Sequence, residues 1–190
     1  MECPFKEQLN NGSMVCDFGG LHHEPGVTQC PTEIFNKCQS DDEPVPNGYR
    51  RLFIMRKDLK MSPGKLAAQV AHCAEAYWMN FIRSHSDSID CSDDYRCSAR
   101  IQGGIFDNYI NGSFVKTICE AKNKNKLLKA KSMAEELGLV EGVDFGLIYD
   151  NCMTELTPEE ENGTTLTGIW FAPLPDEIAH SISKKYHLYM

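Results

Sequence analysis

The 190-residue chain lacks any long hydrophobic run, and this absence limits where the protein resides. No apolar stretch approaches the roughly 20 residues that a helix needs to cross a bilayer. The N-terminal stretch MECPFKEQLNNGS contains no hydrophobic segment of a secretory signal. It also contains two glutamates and no arginine, which argues against a mitochondrial transit peptide. We therefore expect a cytoplasmic protein.

Positive charge is also scarce, because the formal net charge is −8 at pH 7. The deficit is uneven: residues 1–49 carry two basic and eight acidic residues, whereas residues 50–190 carry 17 basic and 19 acidic residues. A near-neutral domain can still bind a phosphate backbone through local basic patches, although such patches are often only solvated surface. Two clusters in the second part fit either interpretation: Arg50, Arg51, Arg56, Lys57, Lys60 and Lys65, then Lys116, Lys122, Lys124, Lys126, Lys129 and Lys131.

The sequence has nine cysteines but no C-x-x-C pair. Four of them fall in the weakly apolar segment 1–49, which can bury little surface by itself. One interpretation is a structural zinc or iron–sulfur site in this segment. The missing C-x-x-C spacing favours the other interpretation, unpaired thiols on a loosely folded extension, since disulfides are unusual in the cytoplasm. The four candidate ligands are Cys3, Cys16, Cys30 and Cys38.

Residues 50–190 show the pattern of one α/β domain, separated from the extension 1–49 by the linker SDDEPVPNG. RLFIMR is typical of a buried strand, and a helix is predicted from Pro63 to Arg83 with Ser62 as its N-cap. SFVKTICEA predicts a second strand, and KNKLLKAKSMAEELGL a helix capped by Asn123. DFGLIYD and TLTGIWFAP predict two further strands, and PDEIAHSISKKY predicts a last helix. The polar residues 84–111 are interpreted as a long surface insert.

This order of elements predicts an α/β layer structure with a mixed sheet. The first two strands are each followed by a helix, which favours right-handed crossovers and parallel pairing. The last two strands are joined by a loop of about fifteen residues, which permits antiparallel pairing.

The first predicted helix carries three polar residues in one line. Lys65, Gln69 and His72 are spaced at i, i+4 and i+7, which places them on one helix face. The small residues around them would let another element or a ligand approach closely. Spacing alone favours a simpler interpretation: a lysine at the helix start, an exposed glutamine and a histidine satisfied in the core.

Four stretches resemble one known family. RKDLKMSPGKLAAQVAHCA is similar to the R-x-D-L-x-M-x-x-G-K-x-x-x-Q-x-x-H-A stretch of the type 2 peptidyl-tRNA hydrolases, with Cys73 interrupting the His-Ala step. AEELGL resembles the end of their second helix, LIYDNCMTEL their L-I-x-D-A-G-R-T-Q-I loop, and TGIWFAPLPDEI their T-V-L-G-I-G-P-x-P-x-x-L-I ending. The resemblance covers residues 51–190 apart from the insert. The matching positions include Arg56, Asp58, Leu59, Met61, Gly64, Lys65, Gln69, His72, Ala74, Asp150, Thr154, Thr167, Pro173, Pro175 and Ile178.

The resemblance implies a fold and an activity. The fold is a three-layer α/β/α sandwich around a four-stranded mixed sheet, here with a Cys-containing N-terminal extension. The activity is hydrolysis of the ester that joins a peptidyl or N-blocked aminoacyl group to the 3′ end of tRNA, a task in translation and ribosome rescue. The resemblance implies no catalytic cofactor, and we add a homodimer as an open expectation. The alternative is a non-catalytic module of this fold that binds tRNA or a protein.

The resemblance also assigns roles to residues. Lys65, Gln69, Asp150 and Thr154 are expected to surround the ester, with the helix that carries Lys65 and Gln69 facing the strand end at Asp150. Because no G-x-S-x-G pattern is present, we expect attack by water without an acyl-enzyme intermediate. The residues expected to support this site are His72, placed one turn deeper, Asp58 and Thr167. The residues expected to contact tRNA are Arg56, Lys57, Lys60 and Lys116.

Three departures from the family stretch affect the charge near this site. Met153 replaces the loop arginine and Glu155 replaces the following glutamine. The loop has also gained EEENG at 159–163. Fewer positive and more negative charges should weaken attraction to tRNA phosphates, so we expect a shallow salt dependence and a raised KM.

Overall fold

The computed structural model describes residues 48–89 and 93–190, together with the backbone of two short strands, β1 (Lys6–Gln8) and β2 (Met14–Cys16). Internal contacts divide the chain into two units, Met1–Val45 and Pro46–Met190. In the first unit, β1 and β2 pair antiparallel. The side chains of the four cysteines predicted to bind a structural metal lie outside the described residues, and that hypothesis remains a prediction.

The second unit contains the helices and strands expected from the sequence, with additions. Its helices are α1 (Pro63–Ser84), α2 (Lys124–Glu136) and α3 (Asp176–Ser183). The caps are those predicted for the first two: the Ser62 side chain accepts a hydrogen bond from the Lys65 N–H, and the Asn123 side chain accepts one from the Lys126 N–H. No helix in the described ranges is long and apolar enough to span a membrane. The strands are β3 (Tyr49–Arg56), β4 (Ser86–Ser88), β5 (Tyr95–Cys97), β6 (Val115–Ala121), β7 (Phe145–Asp150), β8 (Thr165–Phe171), β9 (Leu174–Pro175) and β10 (His187–Leu188).

The main sheet is mixed, as predicted, but it has six strands. Its order is β10-β6-β3-β8-β7, and β9 also pairs with β3. The prediction of four strands is wrong because the two-residue strands β9 and β10 pair along β3 and β6. β3 and β6 are parallel, whereas β8 is antiparallel to both β3 and β7. β3, β6 and β7 therefore run in one direction, and their carboxyl ends lie at the same edge of the sheet.

Alternate residues of β3 contribute to two separate hydrophobic clusters. Leu52 and Ile54 pack in a cluster that includes residues of α2 and α3. Phe53 and Met55 pack in another, which includes Cys73 of α1 and Trp170 of β8. This two-residue alternation is the geometry of a strand that is covered on both faces. Gly146 of β7 is required at the second cluster, because a Cβ there would lie 2.8 Å from the indole ring of Trp170.

The insert is less exposed than its polar sequence suggests. β4 and β5 form an antiparallel pair of largely exposed residues, as expected for a surface insert. A π-helical segment (Ile105–Ser113) follows, and in it the side chain of Tyr109 is fully buried. The Ser113 hydroxyl donates to the backbone carbonyl of Tyr49 over 2.8 Å. The prediction of a surface insert over 84–111 is therefore wrong for its last part, where one aromatic side chain anchors the segment to the domain.

Arg51 is buried within the domain although it belongs to a basic cluster in the sequence. Its guanidinium donates to the carbonyls of Phe171 (3.1 Å), Ala74 (2.5 Å) and Cys73 (3.0 Å), and its Cζ lies 5.4 Å from the ring centre of Tyr77. Burial lowers the pKa of Arg51, but the group remains a cation at neutral pH. Arg51 thus ties α1 to the end of β8 and is not part of the charged surface.

Candidate active site

The four residues expected to surround the ester lie together at the carboxyl edge of the sheet. The Lys65 Nζ atom lies 2.6 Å from the Asp150 Oδ2 atom and 3.3 Å from the Thr154 hydroxyl. The Gln69 amide donates to the same Asp150 oxygen over 2.7 Å. Lys65 and Gln69 are one turn apart on α1, and Asp150 is the last residue of β7. Their juxtaposition follows from helical spacing and from the end of a strand, where α/β sheets commonly place ligand groups.

The Asp150 carboxylate is held by donors on both of its oxygens. Oδ2 contacts Lys65 and Gln69, and Oδ1 accepts the backbone N–H of Cys152 over 2.9 Å. Burial opposes ionisation of Asp150, but the hydrogen bonds from Lys65 and Cys152 outweigh it and lower the pKa below the usual 3.8. Asp150 is therefore an ionised carboxylate at neutral pH, paired with a cation.

Thr167 fixes the orientation of the Gln69 amide from below. Its hydroxyl donates to the Gln69 Oε1 atom over 2.6 Å, which leaves the Gln69 NH2 group to face Asp150. Thr167 and Gln69 are buried, whereas Thr154 is exposed. The site is thus a file of polar groups that runs from solvent at Thr154 to the interior at Thr167.

The backbone at Cys152 adopts the left-handed conformation, with φ at 55°. This turn folds the Cys152 N–H back onto Asp150. Cys152 stands where the family stretch L-I-x-D-A-G-R-T-Q-I has its glycine, the residue that takes positive φ at least cost. That glycine is the sequence signal for this turn.

His72 is not placed as the helical spacing suggested. It is exposed, and so are Ala67, Ala68 and Ala71 on the same helix. The expectation that His72 lies deeper than Lys65 and Gln69 is wrong, because the residue of that region that turns inward is its neighbour Cys73. Its supporting role remains a prediction.

Arg56, a residue expected to contact tRNA, is buried and paired with two carboxylates. Asp58 accepts from its Nε and Nη2 atoms over 3.1 and 2.6 Å. Glu159 accepts from Nη1 and Nη2 over 2.5 and 2.9 Å, and the Leu166 carbonyl accepts over 3.0 Å. Burial opposes the charge of Arg56, but the bonds to Glu159 and Asp58 raise its pKa. Asp58 therefore supports Arg56 directly and touches none of the four clustered residues in the bonds described above.

The three lysines expected to contact tRNA are dispersed. Lys57 follows β3 at the site edge, where it pairs with Glu120 over 2.7 Å. Lys60 is exposed in the turn before α1. Lys116 pairs in register with Arg51 near the start of β6, about 16 Å along the strands from the carboxyl edge. The structure therefore brings Lys57 and Lys60, but not Lys116, to the edge that holds Asp150.

Three glutamates that sequence analysis treated as repulsive charges form specific contacts. Glu155 accepts from the backbone N–H of Ser62 over 2.5 Å and from its hydroxyl over 2.6 Å. Glu159 pairs with Arg56, and Glu160 pairs with Lys124 at the start of α2. The added acidic residues thus neutralise cations at the site edge, while Met153 points to solvent with 87% of its side chain exposed.

Fold and site together define a class: an α/β domain with a lysine–aspartate pair and a glutamine at the carboxyl edge of its sheet. The sequence model of the family described as peptidyl-tRNA hydrolase PTH2 matches residues 49–189, so the chain belongs to this family. Two archaeal relatives named peptidyl-tRNA hydrolase are similar to it. The relative from Thermococcus sibiricus is 29% identical over 135 residues, covering 71% of this chain and 92% of the relative. The relative from Thermoplasma acidophilum is 26% identical over 139 residues, covering 73% and 97%.

Proposed function

We propose that this protein hydrolyses the ester bond between a peptidyl or N-blocked aminoacyl group and the 3′ end of tRNA, releasing free tRNA. The observation that carries the proposal is the contact of Lys65 with Asp150 and Thr154 at 2.6 and 3.3 Å, within a domain of the peptidyl-tRNA hydrolase family. Recovery of tRNA from stalled peptides, in translation and ribosome rescue, is the process that such a reaction serves.

The cluster fits attack by water on an ester carbonyl. Two of the three N–H groups of Lys65 are directed at Asp150 and Thr154, and the third can stabilise the negative charge that develops on the carbonyl oxygen. Thr154 is exposed and can contact the substrate or the attacking water. Gln69 and Thr167 hold Asp150 in place from the buried side. Water attack forms a tetrahedral intermediate, which collapses to the free peptide acid as the ribose oxygen leaves with a proton.

The lowered pKa of Asp150 predicts the pH dependence. A strong general base would have a pKa near the operating pH, so Asp150 is better suited to orient water and hold Lys65. A carboxylate whose pKa is depressed by folding keeps its contribution above the ordinary value and loses it only as pH falls through the lower folded value. We expect kcat/KM to stay flat from about pH 7 to about pH 5. A pH profile with N-acetyl-aminoacyl-tRNA checks this, and an acid limb near pH 6 that Asp150→Asn abolishes would contradict it.

The activity is tested directly by incubating the protein with N-acetyl-aminoacyl-tRNA and following ester cleavage. Release of free tRNA is the expected result. No release, under conditions where an archaeal peptidyl-tRNA hydrolase works, would favour the alternative of a non-catalytic tRNA- or protein-binding module. Trapping of a covalent adduct with a slow ester substrate would contradict direct water attack.

The pairing of Glu160 with Lys124 predicts how tRNA binding can be strengthened. Glu160→Gln should release the Lys124 ammonium, which lies at the carboxyl edge where α2 begins. One more free cation should steepen the dependence of log KM on log salt concentration by about one and lower KM at low salt. Measuring KM between low and moderate salt checks this. Glu161→Gln is the control because it removes an equal charge from an exposed residue of the same loop, and equal effects of both variants would refute the specific role of Lys124.

Our finer proposals concern architecture, assembly and location. The two clusters on alternate residues of β3 support a three-layer α/β/α sandwich with α1 in one outer layer and α2 and α3 in the other. We retain Arg56, Lys57, Lys60 and Lys116 as proposed tRNA contacts, with Lys57 and Lys60 the better placed. Cofactor-free hydrolysis, a cytoplasmic location and a homodimer complete the proposal, and light scattering of the purified protein tests the last.

A further inference from the structure

The glutamate that departs from the family stretch makes the closest contacts between the site loop, residues 151–156, and α1. The Glu155 carboxylate receives the Ser62 backbone N–H at Oε1 (2.5 Å) and the Ser62 hydroxyl at Oε2 (2.6 Å). Ser62 is the N-cap of α1, and its hydroxyl oxygen also accepts the Lys65 N–H over 3.3 Å. One exposed carboxylate thus satisfies a donor at a helix N-terminus, a position that favours negative charge.

Glu155 is the last of three successive attachments of this chain segment to α1. Asp150 binds Gln69, Asp150 and Thr154 bind Lys65, and Glu155 binds Ser62. The attachments proceed toward the N-terminus of α1 as the loop proceeds along the chain. The outer half of this series is exposed: both Thr154 and Glu155 face solvent. Without its last attachment, the loop has only the single 3.3 Å bond of Thr154 to hold it at the surface end.

We propose that Glu155 is a positioning residue, whose carboxylate clasps the N-terminus of α1 and thereby holds Thr154 and Asp150 in place on Lys65. Its influence on rate rests on the proposed hydrolysis, whereas the clasp itself can be measured without substrate. The hydrogen bonds from Ser62 also lower the pKa of Glu155, so the clasp is ionised at neutral pH.

The charge of Glu155 and its clasp can be separated by two substitutions. A glutamine keeps an oxygen for the Ser62 N–H, and its NH2 group can donate to the Ser62 hydroxyl, which has a second lone pair available. Glu155→Gln therefore removes the charge and keeps the clasp, whereas Glu155→Ala removes both. Glu161→Ala is the matched control, because it removes one carboxylate from an exposed position and leaves Ser62 untouched.

The first measurement is steady-state hydrolysis of N-acetyl-aminoacyl-tRNA. Misplacement of a catalytic group by about 1 Å can reduce the rate up to about 100-fold, so we expect Glu155→Ala to lower kcat about tenfold with KM within about threefold of wild type. Glu155→Gln should restore kcat to within about threefold of wild type, and Glu161→Ala should leave kcat unchanged. An unchanged kcat in Glu155→Ala, or an equal loss in Glu155→Gln, would overturn the proposal.

The second measurement follows the loop itself by the alkylation rate of the Cys152 thiol, resolved by peptide mass spectrometry. Cys152 is half-buried in the loop, with its Sγ 3.5 Å from the Asp150 carbonyl, and buried Cys73 is the unreactive internal reference. Glu155→Ala should raise the Cys152 rate at least fivefold, with no rise in Glu155→Gln or at Cys73. If wild type fails to cleave the ester, the proposed hydrolysis fails, and this rate still decides whether the clasp exists. If wild type is active but neither kcat nor the Cys152 rate changes in Glu155→Ala, the clasp alone is refuted.

Discussion

Replacing Asp150 with asparagine is expected to lower kcat for peptidyl-tRNA hydrolysis by about 100- to 1,000-fold, the range for loss of one preorganised electrostatic group. An asparagine can still accept the Cys152 N–H, but its uncharged amide no longer attracts Lys65. If its NH2 group takes the place of Oδ2, two donors from Lys65 and Gln69 face another donor. Single-turnover cleavage of N-acetyl-aminoacyl-tRNA measures the effect on the chemical step.

The control for this prediction is Asp87→Asn, which makes the same change at an exposed residue of β4. Circular dichroism should show both variants folded. Lys65→Ala should lose a comparable factor, and the double variant should lose little more, since the two residues act as one unit. Retention of kcat within about threefold in Asp150→Asn would place the chemistry elsewhere.

Replacing Arg51 with alanine is expected to reduce the free energy of unfolding by about 3 kcal/mol. The change empties a buried volume and removes the donor shared by the Phe171, Ala74 and Cys73 carbonyls. Arg51→Lys should fall between the two, because an ammonium cannot span three carbonyls as the planar guanidinium does. Urea unfolding, followed by circular dichroism, measures the difference.

Arg100→Ala provides the comparison, because Arg100 is an exposed arginine of the insert. We expect it to change stability by less than about 0.5 kcal/mol. An Arg51→Ala variant as stable as Arg100→Ala would mean that the buried guanidinium contributes no more than a surface residue.

Local signals explain why much of the fold and the core of the site could be predicted. Ser62 and Asn123 cap the helices that they were predicted to cap, because a cap depends on residues only three positions apart. Lys65 and Gln69 share a face because of the helical period, and Asp150 ends a strand that its apolar sequence predicts. The family resemblance then joined these two local features into one site.

The missed features depend on contacts between residues far apart in the sequence. Nothing within RLFIMR distinguishes Arg51, which turns inward to the Phe171 carbonyl, from an exposed arginine. Glu159 and Glu160 were read as free negative charges, yet each has a cation partner from another part of the chain. Tyr109 is a single aromatic in a polar segment, and its burial depends on tertiary packing that no periodicity reveals.

The packing of Trp170 against Gly146 has a spectroscopic consequence. The chain has two tryptophans, and the indole of Trp170 is 2% exposed, with its ring centre 6.2 Å from that of Tyr77 on α1. An indole in such an apolar setting emits at shorter wavelength than one in water, and the nearby phenol ring can transfer excitation to it. Trp170 is thus a built-in optical reporter of whether α1, the helix that carries Lys65 and Gln69, is docked on the sheet.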